Sequence, residues 1–262
     1  MFKYQKHNSA SAKKLLLPIN KPRAARYKMI CFPCAGGNAS MFQDWPNELP
    51  DKLELLALHA PGRASRFLER AYTSMKTLVA DLLCDAPILR ESPYILYGHS
   101  LGARVAYEFA KQALILGYPA PVHFIASGSR SPDTPCFSQP TFNLPEDKFL
   151  DTLRCMQGTP QEVLDNDEFM QLLLPTLRAD FQMAEEYIGE VSKLPCPISV
   201  FGGKTDPNIG VDKLKRWKDY TDSEFEISMF DGGHFFINES SRPLENINRL
   251  IQKIMSANTE IT

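Results

Sequence analysis

The sequence predicts an α/β protein whose mostly parallel, doubly wound sheet is covered by helices on both faces. Short apolar segments recur along the chain, and segments with helical apolar spacing lie between them, which is the order that βαβ units produce. The apolar segments are nearly continuous, as expected for strands buried on both faces. One connection, residues 128–197, is much longer than a crossover needs, which indicates an insertion.

Six apolar segments are the predicted strands. In chain order they are residues 28–32, 54–58, 94–97, 123–127, 198–201 and 225–230. Three helices are predicted where apolar side chains recur every three or four positions. They cover residues 75–86, residues 101–116 before the helix-ending Gly117, and a C-terminal segment that Pro243 opens.

The length of 262 residues suits one domain that carries an insertion. The insertion has helical spacing from Leu144 onwards and contains more apolar side chains than one crossover helix can bury. These side chains could simply enlarge the core, or they could belong to a lid or binding loop. An inserted helical lid at about residues 142–191 is compatible with both interpretations. Within it, Arg178 and Asp180 are expected to pair with each other. The candidate residues for lining a substrate pocket are Met156, Phe169, Leu173, Leu177 and Phe181.

The charge distribution sets the N-terminus apart. The first 43 residues contain eight basic residues and no acidic one, whereas the remainder has 21 basic and 31 acidic residues. Such an arm is compatible with nucleic-acid binding, an organellar transit peptide or an acidic partner. Nucleic acid ranks lowest, because the acidic remainder does not continue a basic surface. We expect residues 1–26 to form a poorly ordered arm and residues 27–262 to form the domain.

The apolar runs argue against a membrane-spanning or secreted protein, and the cysteines argue against a zinc or redox site. No apolar run approaches the roughly 18 residues that cross a bilayer, and residues 15–17, ended by Pro18, are too short for a signal-peptide core. Cys31 and Cys34 have redox-like spacing, but no second pair completes a zinc site. We therefore expect reduced thiols, no metal and a cytoplasmic protein, with organellar targeting by the arm left open.

A nucleophile motif occupies residues 98–102, Gly-His-Ser-Leu-Gly. It follows the predicted strand 94–97 and opens the predicted helix 101–116, which is the strand–turn–helix context of a nucleophile elbow. Such a sharp turn strains the serine backbone and requires neighbours without side chains. The pattern predicts Ser100 as a nucleophile at the carboxyl end of the sheet.

A serine hydroxyl needs a neighbouring base near pH 7, and the sequence offers one histidine in the required place. In this fold the order is Ser, acid, His, and only His234 follows both Ser100 and a candidate acid. Asp206, in the loop after strand 198–201, is favoured as the acid that fixes the imidazole tautomer. Asp231 is the alternative, although at three residues from His234 it is better placed to shape the turn.

The oxyanion of a tetrahedral intermediate needs two hydrogen-bond donors. One is expected to be the backbone N–H of Leu101, which directly follows the nucleophile. The second is expected from residues 32–37, Phe-Pro-Cys-Ala-Gly-Gly, a loop after an early strand where small residues let the backbone approach the substrate.

Seven short motifs, in order, resemble those of the type II thioesterases, which are stand-alone α/β-hydrolases that accompany nonribosomal peptide and polyketide synthetases. They lie at residues 32–37, 61–63, 98–103, 158–160, 177–180, 203–206 and 233–236. The resemblance runs from about Tyr27 to the C-terminal helix. It implies the α/β-hydrolase fold, a mostly parallel doubly wound sheet with an inserted, mobile helical lid.

The resemblance also implies roles for individual residues. It gives a catalytic triad and two backbone oxyanion donors, which are Ser100, Asp206 and His234, and Ala35 and Leu101. The sequence departs from the family pattern at Cys34, where His or Tyr is common. Since the backbone supplies the oxyanion hole, this departure affects only the shape of the pocket mouth.

The activity that the resemblance implies is hydrolysis of small acyl groups from the phosphopantetheine arm of a synthetase carrier protein, without a metal or diffusible cofactor. The rivals are a fatty-acyl chain-releasing thioesterase, a general carboxylesterase and, least favoured, a non-catalytic carrier-binding protein. We expect a monomer that binds neither nucleic acid nor membrane. Arg63 and Arg66 are the candidates for speeding the encounter with an acidic carrier.

Overall fold

The computed structural model describes residues 14–136, 139–156, 158 and 161–257. Within them, seven strands form one sheet in the order β1-β3-β2-β4-β5-β6-β7. Strand β1 runs antiparallel to β3, and the other neighbours are parallel. The strands are β1 Leu16–Pro18, β2 Tyr27–Phe32, β3 Leu53–Leu58, β4 Tyr94–His99, β5 His123–Ser127, β6 Ile198–Gly203 and β7 Phe225–Phe230. The mostly parallel sheet and all six predicted strands are confirmed.

Helices connect the strands and cover the sheet. They are α1 Met75–Leu82, α2 Leu101–Ile115, α3 Glu146–Met156, α4 Gln161–Leu164, α5 Asp167–Glu186, α6 Val211–Lys215, α7 Phe236–Glu239 and α8 Arg242–Ala257. The predicted helix at 75–86 ends earlier as an α-helix and continues as 3₁₀ turns over Leu83–Arg90. Pro87 lies in these turns, and its missing N–H is incompatible with a continuing α-helix.

The two faces of the sheet bury separate apolar clusters. Strand β2 contributes side chains to both clusters. Ile30 and Phe32 pack with α1 and α2, whereas Met29 and Cys31 pack on the side of α8. All six residues of β2 are buried. Successive side chains of a strand point to opposite faces, so a strand buried on both sides is mainly apolar. This is why the pattern identified the strands. In β2 the exception is Lys28, whose Nζ lies 3.1 Å from carboxylate oxygens of Glu54 and Glu91.

Strand β1 differs from the prediction for the N-terminal arm. Leu15 and Leu16 are buried, and their backbone N–H groups donate to Oδ2 of Asp85 at 2.7 and 2.8 Å. Residues 14–26 therefore belong in part to the sheet, whereas residues 1–13 of the predicted arm lie outside the described residues. Sequence reasoning missed β1 because it has three residues, ends in proline and lies in a strongly basic segment.

The predicted insertion contains the three helices α3, α4 and α5, which share an apolar cluster of their own. Helix α5 covers the loops that follow β2 and β3, since Leu177 lies against Gly36 and the Thr176 hydroxyl donates to the Gly62 carbonyl at 2.5 Å. We call α3–α5 the lid. The buried members of its cluster are Phe149, Leu153, Leu164, Met170, Leu174, Leu177 and Phe181.

Replacing Asp85 with alanine tests how β1 is held. Asp85→Ala removes the acceptor of two backbone N–H groups, so we expect a loss of about 1–3 kcal/mol in the free energy of unfolding and faster hydrogen exchange at Leu15 and Leu16. Denaturant unfolding and amide exchange measure the two effects. Asp51→Ala, at an exposed turn before β3, is the matched control. Unchanged exchange at both leucines would show that β1 does not depend on this carboxylate.

Candidate active site

The turn between β4 and α2 places Ser100 in a strained backbone conformation. Its φ of 55° and ψ of −118° lie outside the regions that L residues favour. The flanking glycines leave room for the turn, because a Cβ at Gly98 would lie 2.4 Å from the Ala103 nitrogen and one at Gly102 would lie 2.1 Å from the Phe32 carbonyl oxygen. The predicted elbow is therefore present, and it directs the chain from the carboxyl end of β4 into α2.

The three residues of the predicted triad lie in one hydrogen-bonded line. Nε2 of His234 is 2.9 Å from Oγ of Ser100, and Nδ1 of His234 is 2.6 Å from Oδ2 of Asp206. The other carboxylate oxygen of Asp206 accepts the backbone N–H groups of Asn208 and Ile209 at 2.8 and 3.0 Å. The acid is thus fixed from both sides and orients the imidazole toward the serine.

The surroundings keep Asp206 ionised. Burial by itself would raise the pKa of this carboxyl, but the hydrogen bond and charge of His234, together with the two backbone N–H groups, outweigh it and lower the pKa. A carboxylate at this position stabilises the imidazolium that forms when His234 takes a proton.

The alternative acid, Asp231, lies apart from this line. Its carboxylate is 2.7 Å from Nζ of Lys204 and 3.4 Å from Nη1 of Arg242, in an exposed position. The pairing with Lys204 lowers the pKa of Asp231. This carboxylate therefore links the loops after β6 and β7.

A second histidine, His99, supports the ring of His234, and sequence reasoning did not single it out. The two ring centroids are 5.4 Å apart, and Nδ1 of His99 is 3.0 Å from Oγ of Ser127. Burial, followed by the charge of His234, lowers the pKa of His99 to about 3. A neutral His99 thus packs against His234 without competing for its proton. The sequence signal for His99 was its position in the nucleophile motif, directly before Ser100.

A buried ion pair ties the lid to the loop after β2. Arg63 donates to both oxygens of Asp180 at 2.8 Å, and Oδ2 of Asp180 also accepts the backbone N–H of Gly36 at 2.7 Å. Arg63 donates in addition to the Gly37 carbonyl at 2.9 Å. Gly36 directly follows Ala35, so one lid carboxylate fixes the loop in which the second oxyanion donor was predicted.

Two predictions about these charges were wrong. Asp180 does not pair with Arg178, whose Nη1 donates to the Phe142 carbonyl and whose guanidinium lies 4.6 Å from the centre of the Phe149 ring. Arg63 is buried against Asp180 instead of facing a carrier, and Arg66 pairs with Glu69. Positions 178 and 180 are about 200° apart around a helix, so their side chains could not meet.

A cavity of about 270 Å³ opens at the line of three residues. Its wall contains three of the five predicted pocket residues, Met156, Leu177 and Phe181. It also contains four residues that were predicted for catalysis or the oxyanion hole, namely Ala35, Ser100, Leu101 and His234. Phe169 and Leu173 were also predicted to line the pocket, and this prediction is wrong. Phe169 is 58% exposed, and Leu173 packs on the apolar cluster of the lid. Helix α5 rises about 1.5 Å per residue, so both lie one or more turns before Leu177, beyond the cavity.

This geometry defines the class of protein. A serine on a strained strand-to-helix turn, hydrogen-bonded to a histidine and through it to an aspartate, is the constellation of the serine hydrolases with the α/β-hydrolase fold. The family model described as "Thioesterase domain" matches residues 27–255. The chain belongs to this family and is a thioesterase, a hydrolytic enzyme.

Individual relatives agree with this assignment. The chain is 36% identical to the gramicidin S biosynthesis protein GrsT of Aneurinibacillus migulanus over 87% of this chain and 89% of that protein. It is 30% identical to the human medium-chain S-acyl fatty acid synthase thioesterase, over 84% of each chain. Among solved structures, the RedJ thioesterase of the prodiginine pathway in Streptomyces coelicolor has a TM-score of 0.81 at 31% identity, covering 87% of this chain and 92% of that one.

The two candidate acids are separated by a matched pair of substitutions. Asp206→Asn removes the negative charge beside His234 and disturbs its tautomer, so we expect kcat to fall by about 10³ to 10⁴. Asp231→Asn should leave kcat close to the wild-type value and affect mainly the linkage of two loops. Steady-state kinetics on one acyl thioester decides between them. A larger loss of kcat for Asp231→Asn than for Asp206→Asn would assign the role of the orienting acid to Asp231.

The ion pair of Arg63 and Asp180 is expected to act on kcat through the loop it holds. Asp180→Asn leaves Arg63 without its charge partner and loosens the hydrogen bond to Gly36, so kcat should fall by roughly 10- to 100-fold together with the melting temperature. Kinetics well below the melting temperature of the variant separates the two effects. Asp151→Asn, which breaks an exposed lid pair with Arg154, is the control. A lower melting temperature with unchanged kcat would show that Asp180 contributes to stability and not to the reaction.

Proposed function

We propose that this protein is a type II editing thioesterase, which hydrolyses acyl groups from the phosphopantetheine arm of carrier proteins in a nonribosomal peptide or polyketide synthetase. One observation carries the proposal: the hydrogen-bonded line of Asp206, His234 and Ser100 opens onto a small cavity under a helical lid. The likeness to GrsT and RedJ, both named for biosynthetic pathways, supports this substrate class.

Acylation of the enzyme begins at Ser100. Its Oγ attacks the thioester carbonyl carbon while Nε2 of His234 takes the hydroxyl proton, and Asp206 stabilises the resulting imidazolium. The backbone N–H groups of Ala35 and Leu101 donate to the oxyanion of the tetrahedral intermediate. The intermediate collapses to an acyl-serine as its C–S bond breaks, and the thiolate of the phosphopantetheine arm takes the proton from His234 and leaves as the thiol.

Deacylation repeats these steps with water. A thiol has a pKa of about 8.5, so the thiolate leaves with little help from the imidazolium, and acylation is comparatively easy. The neutral His234 then removes a proton from the attacking water and gives it to Oγ of Ser100 as the second tetrahedral intermediate collapses and the acid product leaves. Each step uses groups of this chain, water and the arm of the carrier.

The size of the cavity favours short acyl groups. A volume of about 270 Å³ lies below the usual range for drug-sized ligands, and Met156, Leu177 and Phe181 line it. Opening of the lid would admit the arm and could limit turnover.

We propose that the enzyme acts on its carrier as a monomer in the cytoplasm. None of the helices in the described part of the chain has the length and apolar character to cross a bilayer.

A fatty-acyl chain-releasing thioesterase is the second candidate. The identity of 30% to the human medium-chain enzyme favours it, as does the apolar lining that the lid contributes. The two functions differ in the acyl chain, since chain release requires space for a long hydrocarbon. A lid that moves away from the sheet could provide that space, so chain-length preference has to be measured.

The deciding experiment uses one carrier protein loaded with acetyl, butyryl or palmitoyl groups, with loss of the acyl group followed by mass spectrometry. We expect the two short groups to be removed faster than palmitoyl, and an oxyester of butyrate to react more slowly than the butyryl carrier. Ser100→Ala should lower the rate by at least about 10³ with an unchanged fold, because it removes one hydroxyl.

Each other outcome selects a rival. Preference for palmitoyl would favour fatty-acyl chain release, and equal turnover of the oxyester would favour a general carboxylesterase. Near-normal activity of Ser100→Ala would refute the mechanism. Binding of the loaded carrier without loss of the acyl group would indicate a carrier-binding protein.

A further inference from the structure

Two arginines that the mechanism does not use line the cavity beside Ser100. Arg104 is one helical turn after Ser100 on α2, and Arg130 follows β5. Nη1 of Arg104 and Nη2 of Arg130 donate to the same carbonyl oxygen, that of Ala184 in the lid, at 2.6 and 2.9 Å. Two guanidinium groups therefore meet at one point of the cavity wall.

These guanidinium groups lack the carboxylate partner that a buried cation normally requires. Arg104 is only 4% exposed, and its Nε has no hydrogen-bond partner. Within the described residues, neither arginine forms an ion pair, and the remaining acceptor of Arg130 is the Thr134 carbonyl at 2.8 Å. By contrast, the equally buried Arg63 is held by both oxygens of Asp180.

The acidic residue on this wall, Glu185, forms no ion pair with either arginine in the described part of the chain, although its charge partly offsets the lowering that burial causes in the pKa of Arg130. Glu185 also lines the cavity, but its carboxylate accepts hydrogen bonds from the backbone N–H groups of Thr141 and Phe142 and from the Thr141 hydroxyl. Lys213, on the same wall, adds a further cation whose Nζ donates to the Asn208 carbonyl. The described wall thus has more positive than negative charge.

The surroundings of Arg104 disfavour its positive charge. Burial, followed by the like charge of Arg130, lowers the pKa of Arg104 to about 9. A carboxylate placed between the two guanidinium groups would accept charge-assisted hydrogen bonds from both. It would also give Nε of Arg104 an acceptor and reverse the fall in pKa.

We propose that the cavity selects acyl groups with a carboxylate at their far end, with Arg104 and Arg130 as the specificity-determining residues. The proposal rests on the thioesterase function proposed above and names its substrate class: short dicarboxylic acids linked through one carboxyl. Arg104 lies one turn, about 5.4 Å along the axis, beyond Ser100. Since Ser100, Arg104 and Arg130 line the same cavity of about 270 Å³, a short acyl chain on Oγ would extend within that cavity toward the guanidinium groups.

The phosphate of the phosphopantetheine arm is the other anion that could meet these arginines. A substrate without any phosphate separates the two, because only an anionic acyl group would then remain to be recognised. We therefore use thioesters of N-acetylcysteamine with three acyl groups of similar length: glutaryl, its neutral monomethyl ester, and pentanoyl. The value of kcat/KM for each measures recognition of the far end.

We expect wild-type kcat/KM for glutaryl to exceed that for the methyl ester by at least about tenfold, as for one charge-assisted hydrogen-bonded contact. In Arg104→Gln and in Arg130→Gln, the ratio of glutaryl to pentanoyl should fall by at least about tenfold. The second variant serves if the first does not fold. Arg154→Gln, at an exposed lid position, is the control and should keep the wild-type ratio.

The outcomes separate this proposal from the one on which it rests. Turnover of pentanoyl without a preference for glutaryl overturns the carboxylate specificity and leaves the proposed thioesterase function intact. Arginine variants that lower all three substrates alike give these residues a structural role and also overturn it. Turnover of none of the thioesters, together with no loss of any acyl group from the loaded carrier protein, refutes the proposed function itself.

Discussion

The carboxylate of Asp180 joins three parts of the molecule that are distant in sequence. It accepts the Gly36 N–H from the loop after β2 and two hydrogen bonds from Arg63 in the loop after β3, while its own backbone belongs to α5 of the lid. A buried charge requires full pairing, so this pairing favours the position of α5 above the sheet over one in which the lid has moved away. The cavity wall formed by Leu177 and Phe181 depends on that position.

Burial acts differently on each ionisable group around the cavity. Asp206 stays charged because two backbone N–H groups and His234 compensate for its desolvation. At His99, burial outweighs the favourable charge of Asp206, so this histidine is held neutral. Among the described residues, Arg63 is paired with both oxygens of a carboxylate, whereas Arg104 donates to a single backbone carbonyl. The site therefore combines fixed charges that orient His234 with a cationic wall whose counter-charge is not supplied by the described chain.

Local patterns were sufficient to predict the sheet and the residues that form the hydrogen-bonded line. Continuous apolar runs identified β2–β7, the glycines around Ser100 revealed the elbow, and chain order singled out His234. Contacts between distant segments could not be read from such patterns. Arg63 and Asp180 are 117 positions apart, and whether Phe169 faces a cavity depends on how far α5 extends past it. The three residues of β1 carry too little periodic signal to be recognised.

Strand β1 also protects an edge of the sheet. The segment pairs Leu16 with Leu58 and Pro18 with Leu56, so it covers backbone groups of β3 that would otherwise be free to pair with another polypeptide. Pro18 lacks an N–H and cannot extend the ladder at its own position. A chain shortened past this segment would keep the nucleophile and its base but expose an apolar edge, and would therefore tend toward edge-to-edge aggregation.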